Sequence, residues 1–133
     1  MGKNQYKLVE WFLRISLSIG FLSAVADRFG IWPKRLSKWG NWDAFLTYTH
    51  SLLPFLTSKQ SWYAALTATS LEIFLGVILL VNFRTVLMAK ISGFLLLAFG
   101  VCMAVFLNIK APLDYSVFSA AAAAFALSLI YRK

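Results

Sequence analysis

Residues 86–108 read VLMAKISGFLLLAFGVCMAVFLN, with one charge, Lys90, close to the start. A helix rises ~1.5 Å per residue, so about twenty apolar residues cross ~30 Å of hydrocarbon. This run is long enough. It does not read as a membrane strand, because GFLLLAF here and GVILLV at 76–81 lack any in–out alternation.

Three further runs of the same kind flank it. They cover residues 8–29, 61–83 and 113–131. Asn82 to Thr85 makes a tight link between the second and third runs, and Lys110, Ala111 and Pro112 separate the third from the fourth. The link between the first two is longer. It carries Trp32, Trp39, Trp42 and Tyr48 together with Lys34, Arg35 and Lys38. Aromatic and basic residues of this kind favour the headgroup zone. Within it, Phe45, Tyr48, Thr49, Leu52 and Leu53 fall at helical spacing ahead of Pro54. Residues 43–56 are therefore expected to form a short interfacial helix across the mouth of the bundle, stopped by the proline. The expected fold is all-α: an integral membrane four-helix bundle over one domain, 1–133, with no internal repeat.

Composition agrees. Hydrophobic residues make up 60% of the chain and charged residues only 14%. About a quarter of a soluble domain is charged. The net charge of +8 does not point to nucleic acid, because the basic residues cluster at the ends of apolar runs and form no basic stripe with interleaved aromatics. Cys102 is the only cysteine, so no internal disulfide or CxxC pair is available. His50 is the only histidine, and no metal or haem site is expected. The first run continues beyond the length of a signal h-region and is expected to remain as an anchor. Four spans put both termini on one side. Basic residues divide seven against six between the two sides, which leaves orientation open.

Lipid tails are as apolar as leucine, so helices in a membrane associate through close packing and hydrogen bonds. Small residues should mark the contact faces. Ser16, Gly20, Ser23 and Asp27 share one face of the first helix. Ala65, Thr69, Glu72 and Gly76 share one face of the second; Ala89, Gly93, Gly100, Ala104 and Asn108 do so in the third.

Three charged residues within these runs stand out. Glu72 lies deep in the second run, where a carboxylate costs roughly 2.5–3.5 kcal/mol on insertion scales. It is expected to face the bundle interior, either as one half of a structural pair or as a proton or ligand site. Arg14 has two competing partners: Glu72 across the bundle, about 7 Å away in depth, and Glu10 one turn back. Asp27, at the far end of the first run, is open to a surface ion pair or to a place at the mouth of a cavity. Asp114 opens the fourth helix as a favourable N-terminal charge. No nucleophile–base pair or phosphate loop is present, so no catalytic residue can be named.

The order of features resembles a known family. The first helix holds Arg14 and closes in Ala26-Asp27-Arg28-Phe29-Gly30. Phe45-Leu46-Thr47-Tyr48-Thr49 and Leu53-Pro54-Phe55-Leu56 follow. The second helix carries Leu71-Glu72 and Leu75-Gly76, the third Ser92-Gly93-Phe94-Leu95-Leu96-Leu97-Ala98-Phe99-Gly100, and the fourth opens Pro112-Leu113-Asp114-Tyr115-Ser116. Together these resemble the DoxX family of small bacterial four-helix membrane proteins, over nearly the whole chain. The resemblance implies a bacterial inner membrane, cytoplasmic termini, and a link to redox systems such as thiosulfate–quinone oxidoreduction. It also singles out Glu72 and Arg14, which match the family pattern. A cysteine-dependent redox role known for some relatives does not transfer to a chain whose only cysteine is Cys102.

Two functions are expected from this. The first is a membrane subunit of a redox system that binds quinone or a similar lipid-soluble molecule non-covalently, with Glu72, Arg14 and Asp27 as ligand-binding residues. The second is a non-catalytic scaffold or assembly partner of another membrane protein, or of a second copy of this chain. A small-solute transporter ranks third, because four short helices leave little room for alternating access.

Overall fold

The computed structural model of the chain describes residues 2–131 and is helical throughout, with no strand among the described residues. Arg132 and Lys133, counted above among the basic residues on the side of the termini, lie outside them. The helices are α1 (Lys3–Arg28), α2 (Trp42–Leu52), α3 (Ser58–Ile78), α4 (Thr85–Phe106), α5 (Lys110–Asp114) and α6 (Val117–Ile130). Three of them, α1, α3 and α4, with 26, 21 and 22 residues, are long and apolar enough to cross a membrane.

Local chemistry sets the boundaries. Thr57 and Gln60 form a reciprocal cap at the start of α3: the Thr57 hydroxyl accepts from the Gln60 amide, and the Gln60 side chain accepts from the Thr57 amide. Asn41 caps α2 by accepting from the Ala44 amide at 2.8 Å. At the end of α1, the Ile31 amide donates to Ala26 O and the Gly30 amide to Asp27 O. This double closure needs a left-handed residue, and Gly30 supplies it with φ +73°.

Several expected boundaries are corrected. The first span, expected at 8–29, begins earlier at Lys3, and the short helix expected over 43–56 is Trp42–Leu52, ending ahead of Pro54. The second span, expected at 61–83, begins earlier at the Thr57 cap and ends at Ile78, because the chain from Leu79 onward is drawn into the turn that leads to α4. The fourth, expected as one run over 113–131, is broken. Ser116 takes a left-handed conformation (φ 54°), which separates α5 from α6. That leaves α6 with 14 residues, about 21 Å of rise, short of a full hydrocarbon core. Asp114 falls at the end of α5, where its carboxylate is paired to Lys110 at 2.7 Å, and does not open α6.

α1 and α3 run antiparallel: Arg14 reaches the carbonyl of Leu79, while Arg28 reaches Thr69 and Glu72. α4 packs chiefly on α6, and α2 on the first half of α3. Leu17, Phe21, Leu75, Leu79, Met88, Ala89, Ala124 and Leu127 form the core. Small residues make the close approaches. A Cβ on Gly93 would stand 2.7 Å from the Phe125 ring, and one on Gly100 2.7 Å from the Phe118 ring. One on Gly76 would stand 2.8 Å from Leu22. Each glycine admits a bulky side chain from the neighbouring helix.

The outward faces are apolar. Leu8, Phe12, Ile15 and Ile19 form an exposed stripe along α1, and Phe94, Val101 and Val105 one along α4. Exposed apolar faces on all three long helices are costly in water and favourable in lipid.

Candidate functional site

Ser16 and Gly20 share the α1 face on which small residues were expected to make helix contacts, yet they contact no neighbouring helix closely. A Cβ on Gly20 would meet nothing within 4 Å. Both residues line a cavity of about 530 Å³, which lies within the range of small-molecule sites, ~300–1,000 Å³. α1 also contributes Leu17, Phe21, Ala24 and Arg28 to its wall, and α2 contributes Phe45, Tyr48, Thr49 and Leu52. Ala64, Ala68 and Glu72 come from α3, Phe99, Cys102 and Met103 from α4, and Val117 and Ala120 from α6. The wall is overwhelmingly apolar. Its polar groups come mainly from Arg28, Glu72, Lys38, Tyr48 and Tyr115.

The buried anchor of this wall is Arg28. Its Nη2 donates to both oxygens of Glu72, at 2.9 and 3.1 Å, and Nη1 donates to Thr69 Oγ1 at 2.8 Å. Both partners of the ion pair are 3% exposed. The guanidinium lies 3.8 Å from the centre of the Phe45 ring, stacked as cations favour over aromatic faces. Arg28 Nε is buried and has no hydrogen-bond partner. A charge-assisted pair so well sheltered from water is held by geometry, and loss of either member strands the other.

Glu72 therefore faces the interior, as its cost in hydrocarbon required, but its partner is Arg28. Of the two pairings left open for Arg14, the one with Glu72 does not form. Arg14 is fully buried near the middle of α1. Its Nη1 donates to Glu10 and Asn82, both at 2.9 Å, Nη2 to Val81 O at 2.7 Å, and Nε to Leu79 O at 2.6 Å. The Trp11 ring lies 4.2 Å away. Of the two partners open to it, Glu10 is the one it takes. Arg14 does not line the cavity. It satisfies carbonyls left free at the end of α3 and fixes the turn into α4.

Asp27 is also outside the cavity wall. It is neither in a surface ion pair nor at the mouth. Its Oδ2 accepts from the amides of Lys38 and Trp39 at 2.8 and 3.1 Å, so it fastens the loop that carries those residues. Lys38 then reaches over the cavity mouth. Its Nζ lies 3.8 Å from the Tyr115 ring centre and 4.7 Å from that of Tyr48. Burial pushes the Tyr48 hydroxyl above its ordinary range, and nearby Tyr115 adds to this, so Tyr48 stays a neutral donor at physiological pH.

Of the three residues expected to bind a ligand, the structure brings only Glu72 to the cavity. Arg28, Lys38, Tyr48 and Tyr115 went unassigned. Arg28 was legible in principle: antiparallel packing of the first two long helices carries the end of one toward the middle of the other. Among the described residues no cluster of three or more metal-ligating side chains occurs. In comparisons with known proteins, no family model, curated protein or solved structure matches the chain.

Proposed function

We propose that the protein is a multi-pass membrane protein in which α1, α3, α4 and α6 form a four-helix bundle, closed on one side by α2 at the interface, around a site for a quinone or a similar lipid-soluble molecule. It serves as a membrane subunit or accessory of a redox system. The observation that carries the binding reading is the cavity itself: an apolar chamber of about 530 Å³ with a buried Arg28–Glu72 pair in its wall. Membrane ligands of this kind have an apolar body and a few oxygen atoms, and the wall offers matching surfaces. The redox role, the bacterial inner membrane and cytoplasmic termini rest on the resemblance to the DoxX family carried by the motifs around Asp27, Glu72, Gly93 and Asp114.

The test is purification in a mild non-ionic detergent, followed by mass spectrometry of all co-purifying lipids and proteins. A stoichiometric quinone supports the proposal. A single stoichiometric protein with no small molecule would replace it with the scaffold reading. Reporter fusions at the two termini test the four crossings, and opposite locations would overturn them.

A further inference from the structure

The charges around the cavity do not balance, and the imbalance identifies a ligand class. The Arg28 guanidinium is matched by the Glu72 carboxylate. Lys38 is not matched: among the described residues no carboxylate lies within ion-pair distance of its Nζ. The other polar groups on the wall are neutral: hydroxyls, the Cys102 thiol and the Trp39 indole N–H, which is buried without a partner. The hydroxyl of Thr49 is committed to Phe45 O at 2.9 Å. That of Tyr48 remains protonated, as burial dictates. One positive charge is therefore left over, above an apolar chamber.

Its position is also built. Asp27 holds the backbone amides of Lys38 and Trp39. The ammonium is placed above the Tyr115 and Tyr48 rings, with the Trp39 ring at 5.4 Å. Ring faces attract the cation but accept its three N–H groups only weakly. Lys38 is exposed at the edge of the cavity, and a neutral oxygen there would accept one hydrogen bond without pairing its charge. An anionic oxygen would supply both.

We propose that the cavity takes an amphiphile with one anionic head on a single apolar chain, a fatty-acid carboxylate or an alkyl phosphate, with the head on Lys38 and the chain packed among Gly20, Leu52, Phe99, Cys102 and Ala120. This rests on the preceding reading only in taking the cavity as the site of a lipid-soluble molecule, and it puts an anionic amphiphile there in place of a quinone.

The test uses the full chain in nanodiscs of phosphatidylcholine, with cis-parinaric acid, a fluorescent fatty acid, as the displaced probe. Hexadecanoate and hexadecyl phosphate are expected to displace it at concentrations about tenfold lower than hexadecanol, the margin of a charge-assisted over a neutral hydrogen bond. Lys38→Met reduces the acid to the level of the alcohol and leaves the alcohol unchanged. Single-chain lysophosphatidylglycerol in the nanodisc, competing in a Lys38-dependent way, would also support the anionic head and make the bilayer its source. Equal displacement by acid and alcohol, or stronger displacement by decylubiquinone, overturns the anionic head while leaving the cavity as the site. Probe binding that is unchanged in Gly20→Leu, where the new side chain fills the chamber, overturns the cavity reading itself and this proposal with it.

Discussion

The two buried arginines of α1 stand in opposite situations. Arg14 is enclosed, and each of its guanidinium nitrogens donates to an oxygen: Glu10, Leu79, Val81 or Asn82. Arg28 is paired to Glu72 through Nη2, which reaches both carboxylate oxygens, yet its Nε has no partner and its side chain forms part of a cavity wall. A buried cation with every guanidinium nitrogen engaged, and outside the cavity wall, is not placed to meet a ligand. It acts as a fastener between α1 and the end of α3. A buried pair set in the wall of an open chamber is placed where a fastener is not needed. The contrast separates structure from site more sharply than either residue's depth in the sequence.

The largest effect should come from Arg14→Leu. It leaves the buried Glu10 carboxylate only the longer contact to Lys7, at 3.4 Å, and strands two carbonyls at the end of α3, at a cost near the upper end for a broken buried pair, about 5 kcal/mol. Thermal unfolding in detergent, followed by circular dichroism, should show no cooperative transition. A folded variant with near-parent stability would remove the fastener from the account.

Glu72→Leu should cost less, about 3 kcal/mol, the lower end for such pairs. Here Thr69 and the Phe45 ring still shelter the arginine, and the chamber lets water relieve it. Glu72→Gln keeps an acceptor for Arg28 and should cost about 1 kcal/mol. If Glu72→Gln is stable but loses redox complementation, the carboxylate itself is required. If Glu72→Leu matches the parent in stability and activity, the pair has no role.

Glycines extend the comparison to packing. Gly93→Ala drives a methyl group into the Phe125 ring and should cost about 1–3 kcal/mol through overpacking. Gly20→Ala meets open space and should stay within about 0.5 kcal/mol of the parent. Parallel melting curves check both. Equal losses would mean that the space beside Gly20 collapses in the membrane.

Much of this was legible in the sequence. Runs of apolar residues located α1, α3 and α4, and the small-residue spacing correctly placed Gly76, Gly93 and Gly100 at helix contacts. The cost of a carboxylate in hydrocarbon correctly turned Glu72 inward. Its partner was not legible by depth alone. The expected runs set Glu72 level with a point on the first helix between Arg14 and Arg28, and the reach of a long side chain decided between them. Adjacent Asp27 and Arg28 at a helix end also look alike in sequence. Their roles diverge only because Asp27 turns to the loop amides while Arg28 turns to α3. The break at Ser116 left no apolar signature, since a left-handed serine is a local conformational event within an otherwise uniform run. The stripe of Ser16 and Gly20 shows the reverse limit: small residues permit close packing, but they equally permit a void.

The most direct test of the central claim, that the chamber beside Arg28 and Glu72 is a ligand site while the Arg14 end is closed, is photolabelling in nanodiscs with a diazirine-bearing palmitate, followed by peptide mapping. Labels are expected on α2 near Tyr48 and Leu52 and on α4 near Phe99 and Met103, and they should be lost in Gly20→Leu. Labelling confined to the outward residues Phe12, Ile19 and Phe94, unchanged by that substitution, would contradict the account.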